Sequence, residues 1–197
     1  MFLFRSLVRP RVVLKELSQS DPSPTAIFFG FSFWLLLLPP LCAYFGATNF
    51  GWNPGGVEPI LLENNQLIGI SGTYFIALLF GFVSTVVISQ WMAATYGARE
   101  SLGVHFALIS IVAAPLAIGS MAHLYPHLVF NFLILVPMLI WSLTLLYWGL
   151  PIALNTSRER GMLMATSLAA YLLVAAVSLL SLTVVLWTYG LGPRIWI

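Results

Sequence analysis

Apolar and polar positions divide the chain into five long apolar runs, near residues 26–47, 67–94, 104–124, 128–151 and 162–189. Each is long enough to cross a bilayer core of about 30 Å as a helix, which takes about 20 residues. The connections between them are polar or punctuated: NFGWNPGGVEPILLENNQ, YGARESLG, YPH and IALNTSRERG. The pattern predicts an all-α polytopic membrane protein whose five transmembrane helices form one bundle over 26–197, preceded by a separate segment at 1–25. In that segment Leu3, Leu7, Leu14 and Leu17 repeat with helical spacing, Pro10 stands at the missing step, and Arg5, Arg9 and Glu16 lie on another face. This is the pattern of a short amphipathic helix at the membrane interface. Pro10 either breaks it or opens a second helix at its first position.

Composition agrees with the spans. Hydrophobic residues make up 60% of the 197 and charged residues only 7%, with a mean hydropathy of +0.97, whereas soluble domains carry about a quarter charged residues. The net charge of +2 comes without a dense basic patch, which sets nucleic acid aside as a partner. Cys42 is the single cysteine, so no intrachain disulfide can form. The first 25 residues lack an apolar run followed by a small-residue cleavage site, so a removable secretory signal is not expected.

Charge then orients the spans, because Lys and Arg near span ends stay on the cytoplasmic side. Arg5, Arg9, Arg11 and Lys15 precede the first span, Arg99 lies in the second connection, and Arg158 and Arg160 lie in the fourth. These seven face Arg194 alone on the other side. The expected topology is N-terminus inside and C-terminus outside, with segment 1–25 cytoplasmic. Trp91, Tyr96, Tyr147 and Trp148 then fall near the inner interface, and Tyr44, Trp52, Tyr125, Trp187 and Tyr189 near the outer one, as interfacial aromatics should. Trp34 and Trp141 fall deeper, where packing roles are expected.

Helices in lipid associate through small residues and polar side chains rather than through apolar burial. Small-residue stripes occur in the second span (Gly69, Thr73, Ala77, Gly81, Ser84), the third (Ser110, Ala113, Ala114, Ala117) and the fifth (Thr166, Ala170, Ser178, Ser181). No span has an interior Asp, Glu, Lys or Arg, which argues against proton-coupled or charge-selective transport. Pro39 and Pro40 withhold donors from the carbonyls of Leu35 and Leu36 and bend the first span. Such a break is tolerated where a neighbouring helix or a cavity satisfies the freed groups. Pro39, Pro40, Cys42, Asn49, Trp52, Asn53, His123 and His127 all lie toward the outer face, so they either frame a small outward cavity or serve packing. His123 and His127 are four apart, but Pro126 between them and the lack of an HExxH pattern give no reason to expect a metal. His105 sits at the inner end of the third span, where an anchoring role is expected. No nucleophile elbow, phosphate loop or CxxC is present, so neither a catalytic residue nor a cofactor is expected.

LCAYFGATNFGWNPG, AAPLAIGSMAHLYP and YWGLPIALNTSRERGMLMATSL resemble the bacterial inner-membrane branch of the Yip (Ypt-interacting protein) superfamily. The resemblance follows the same order over nearly the whole chain. It rests on Gly51, Trp52 and Asn53, on Ala114-Pro115, and on Tyr147 and Leu150-Pro151 before Gly161. It implies a multi-pass bacterial inner-membrane protein without enzymatic activity. The expected function is to organise membrane lipid or to bind another membrane protein or a second copy. Arg5, Arg9, Arg11, Lys15, Arg158 and Arg160 are the candidates for contact with lipid headgroups. The alternative is a carrier or channel for a small neutral solute or lipid, with an outward cavity at the Pro39-Pro40 kink.

Overall fold

A computed structural model describes residues 9–53, 59–98 and 100–189. Six helices account for most of these: α1 (Pro10–Leu17), α2 (Pro24–Phe50), α3 (Asn64–Thr95), α4 (Leu102–Leu124), α5 (Leu128–Ala153) and α6 (Arg158–Thr188). α2 to α6 are the five predicted spans, long and apolar enough to cross a membrane. The described residues contain no strand beyond isolated bridges at Trp52–Ile60 and Asn53–His127. The first span carries a π turn at Phe28–Ser32, which no sequence pattern announced. Pro39 and Pro40 both lie inside the continuing helix.

α4 is the central helix. Of its membrane window 72% is buried, against 39% for α2, 11% for α3 and α5, and 6% for α6. Its small residues explain the placement, because Gly103, Ala107, Ser110, Ala114 and Ala117 are all buried and let neighbouring backbones approach closely. A side chain at Gly103 would strike the Pro22 carbonyl, and one at Gly46 of α2 would strike the His123 carbonyl. Ser32 Oγ and Ser110 Oγ share a hydrogen bond of 2.6 Å, so α2 and α4 run parallel with their backbones in contact at both ends.

Interhelical hydrogen bonds tie the other spans together. Ser89 of α3 meets His105 of α4 at 2.9 Å, Tyr171 of α6 donates to Ser84 of α3 at 2.8 Å, and Tyr147 of α5 meets Thr166 of α6 at 3.1 Å. At the end of the bundle away from α1, Tyr44 of α2 donates to Asn64 of α3 at 2.7 Å. Such bonds hold helices in lipid by about 0.6 kcal/mol each on average.

α1 begins at Pro10, at the first helical position. Its apolar face of Val13, Leu14 and Leu17 is turned into the bundle, where it joins Val104, Leu108, Leu146, Leu150, Met164 and Leu168 in the largest core cluster. Leu14 lies over Gly149, with a Cδ atom 3.4 Å from where a β-carbon there would stand. The amphipathic pattern therefore marks a helix docked on protein, with only its polar side left for the interface. Leu3, Arg5 and Leu7 lie outside the described residues.

Four packing expectations need correction. His105 is fully buried rather than interfacial, because a hydrogen-bond partner on α3 lets it sit among the helices. Trp34 and Trp141 are 63% and 42% exposed and face outward as lipid-facing side chains. The small-residue stripe of α3 is not a close contact, since nothing lies within 4 Å of a β-carbon built at Gly69 or Gly81. In α6 the packed positions are Gly161, Met164, Ala165 and Leu168, whereas Ala170, Ser178 and Ser181 are exposed.

Candidate functional site

Docking of α1 gathers basic residues at one end of the bundle. Arg9 is exposed just before α1 and Arg11 and Lys15 on it, and Arg158 and Arg160 are exposed at the start of α6. Contacts fix this end as common to both groups: Leu14 lies over Gly149, and Arg11 Cζ lies 4.5 Å from the centre of the Trp148 ring. Arg11, Val12, Lys15, Glu16 and Gln19 line an open groove of about 330 Å³. Arg5 and Arg99 lie outside the described residues.

Arg160 has a different task from the arginines of α1. Its Nη1 donates to the Tyr96 carbonyl at 3.5 Å, which places a cation at the C-terminus of α3, where the helix dipole favours it. The chain leaves α3 through Gly97 at φ 80°, a left-handed conformation that glycine adopts without steric cost. Arg158 has no such bond to a described residue and is the freer of the two.

At the end of the bundle away from the basic residues, the predicted polar residues separate into two sets. His123 Nδ1 and Asn131 Oδ1 are 2.6 Å apart, and Asn131 Nδ2 donates to the carbonyls of Tyr125 and His127 at 2.9 and 3.0 Å. His127 Nδ1 accepts from Phe130 N at 3.4 Å and so caps α5. Asn53 bridges to His127 through backbone, and Trp52 packs edge-on against Trp187 at 6.5 Å. Asn49 donates to the Phe45 carbonyl of its own helix at 2.7 Å. The structure thus brings His123, His127, Asn53 and Trp52 into one turn-and-loop assembly. Pro39, Pro40 and Cys42 lie deeper and are buried. Among the described residues no three of His, Cys, Asp and Glu come together as a metal site would require. The side chains of this turn and loop are occupied with holding a helix start and a loop.

Comparison with known proteins bears on the whole arrangement. The Yip1 domain matches residues 4–180. The chain belongs to the Yip1 family. Inner membrane protein YohC of Escherichia coli strain K12 is 31% identical over 153 residues, covering 78% of each chain. The protein of the same name from Escherichia coli O6:H1 matches to the same extent. No solved structure matches the chain. With five apolar helices and an inner-membrane relative, this Yip1 protein is a multi-pass inner-membrane protein.

The residues that carry the Yip resemblance have structural roles here. Gly51 ends α2 at φ 71°. Ala114, Pro115 and Leu150 are buried, and Tyr147 bonds Thr166. A β-carbon at Gly161 would come within 2.6 Å of the Pro151 side chain, so this glycine lets α6 start directly against the end of α5. These positions fix helix ends and crossings.

Sequence reading missed two features. The Ser89–His105 pair joins residues 16 apart on different helices, and only the register of α3 on α4 reveals it. The stacking of Arg11 on Trp148 had a partial signal, since both were expected at the inner interface, but nothing in the spacing paired them.

Proposed function

We propose that this Yip1-family protein is a non-enzymatic organiser of membrane lipid, which holds anionic phospholipid headgroups at its basic end. The observation that carries this reading is the burial of the apolar face of α1, which holds Arg9, Arg11 and Lys15 to the bundle close to Trp148. A solvated tail would present the same charges diffusely. Fixed to the bundle, they stand at headgroup depth beside an interfacial aromatic. The basic end faces the cytoplasm by the positive-inside rule, where anionic lipid gives the leaflet its negative potential. Each Lys or Arg near such a surface contributes about 1 kcal/mol.

The test uses the full chain purified in mild detergent. Native mass spectrometry should show phosphatidylglycerol retained in preference to phosphatidylcholine. Neutralising Arg9, Arg11, Lys15 and Arg158 together should abolish that preference, and raised salt should weaken it in the native chain. Equal retention of both lipids by the native and neutralised proteins would refute the reading.

A further inference from the structure

Resting on that reading, we infer that Arg11 and Lys15 form a preformed phosphate site for one phospholipid of the basic-side leaflet, with Trp148 as the positioning residue. Arg11 and Lys15 are one helical turn apart on the same side of α1 and both line its groove. Arg11 Cζ is held over the Trp148 ring, 4.5 Å from its centre, and an indole offers no hydrogen-bond acceptor that would use up the guanidinium donors. The guanidinium carries five N–H donors in a fork that matches a phosphate. Among the described residues no hydrogen bond or ion pair occupies those donors or Lys15 Nζ.

The site is built rather than merely charged. α1 cannot rotate about its axis without exposing Val13, Leu14 and Leu17, each at most 3% accessible. The basic pair is therefore aimed by the core. Trp148 is 48% exposed on the helix that Leu14 packs against, so the indole both holds the guanidinium and marks headgroup depth. Val12, 47% exposed beside the groove, offers apolar surface where an acyl chain would begin. Free inorganic phosphate has the same head chemistry and no such chain, so the site commits to lipid.

The discriminating experiment titrates delipidated full-length protein with dioleoyl phosphatidylglycerol and counts bound lipid by native mass spectrometry, with inorganic phosphate as competitor. One lipid should be held more tightly than the rest. Trp148→Leu keeps every charge and should weaken that first lipid several-fold to about tenfold. Trp148→Phe, with a weaker ring quadrupole, should fall between. Arg11→Lys keeps the charge but loses the fork and should weaken it comparably. Trp91→Leu, which removes another exposed aromatic, should leave it unchanged. Phosphate at millimolar concentration should compete poorly.

If Arg11→Ala and Arg158→Ala weaken binding equally while both Trp148 variants bind as the native chain does, the site is overturned and the diffuse headgroup reading survives. Displacement of the lipid by phosphate alone would also overturn the commitment to lipid. If the fourfold neutralised chain still holds phosphatidylglycerol normally, both readings fall. Should Trp148→Leu fail to fold, the order Trp, Phe and the Arg11→Lys result decide the matter.

Discussion

Ser89 and His105 show how much a single polar contact matters inside this bundle. Both are fully buried and bonded at 2.9 Å, and His105 Nε2 has no hydrogen-bond partner. Ser89→Ala leaves both ring nitrogens unpaired and should cost about 1–3 kcal/mol. Replacing both residues with apolar ones, Ser89→Ala with His105→Leu, should cost less than the sum of the single changes. The coupling should be about 0.6 kcal/mol and at most about 1.7, read from unfolding in mixed micelles. Additive losses would mean that the bond contributes nothing. Glycines allow a second comparison at this scale. Gly46→Ala and Gly103→Ala each force a methyl group into a backbone carbonyl, whereas at Gly81 no atom lies within 4 Å. Thermal unfolding in detergent should fall clearly for the first two and hardly move for Gly81→Ala. The sequence contained these residues but not their partners. His105 was visible at the inner end of its span, yet its burial depended on a serine supplied by another helix.

At the level of elements, the five apolar runs matched the helices to within a few residues because membrane thickness dictates their length. Which face of each helix meets another was less legible. The stripe on α4 was read correctly, since a helix at the centre buries small residues on every side. The stripe on α3 had the same appearance, yet Gly69 and Thr73 are exposed and nothing packs closely on Gly69 or Gly81, and periodicity cannot tell the two cases apart when both sides are apolar. The same limit applied to α1, whose leucines suit lipid and protein equally. Two substitutions separate those options. Leu14→Ala removes a side chain that fills the space over Gly149 and should destabilise the whole bundle by about 2–5 kcal/mol. Val12→Ala, at a position 47% exposed, should change stability by less than about 0.5 kcal/mol. If α1 merely lay on the leaflet, the two would be equally silent in a detergent melt.

For the whole molecule, the decisive property is that the basic residues on separate segments share one end. Leu14 against Gly149 ties α1 to the end of α5, and Arg160 bonded to the Tyr96 carbonyl ties the start of α6 to the end of α3. Reversing the protein in the membrane would move all of these charges together, so the positive-inside rule acts on them as one group. The opposite end has its own markers. The C-terminal half of α6 is exposed from Leu172 to Val185 except at Ala175, and two of its three hydroxyls fold back on its own carbonyls, Ser181 to Val177 at 2.9 Å and Thr183 to Leu179 at 2.8 Å. Sidedness is therefore testable with two single cysteines in a Cys42→Ala background. A thiol at Ser18, half-buried just past the end of α1, should resist a membrane-impermeant maleimide in intact cells and react once the inner membrane is permeabilised. One at Asn49, on the exposed last turn of α2, should react in both. Native Cys42, buried between helices, should stay silent until the protein is denatured. Labelling of Ser18→Cys and not Asn49→Cys in intact cells would invert the molecule and move the proposed phosphate site to the other leaflet.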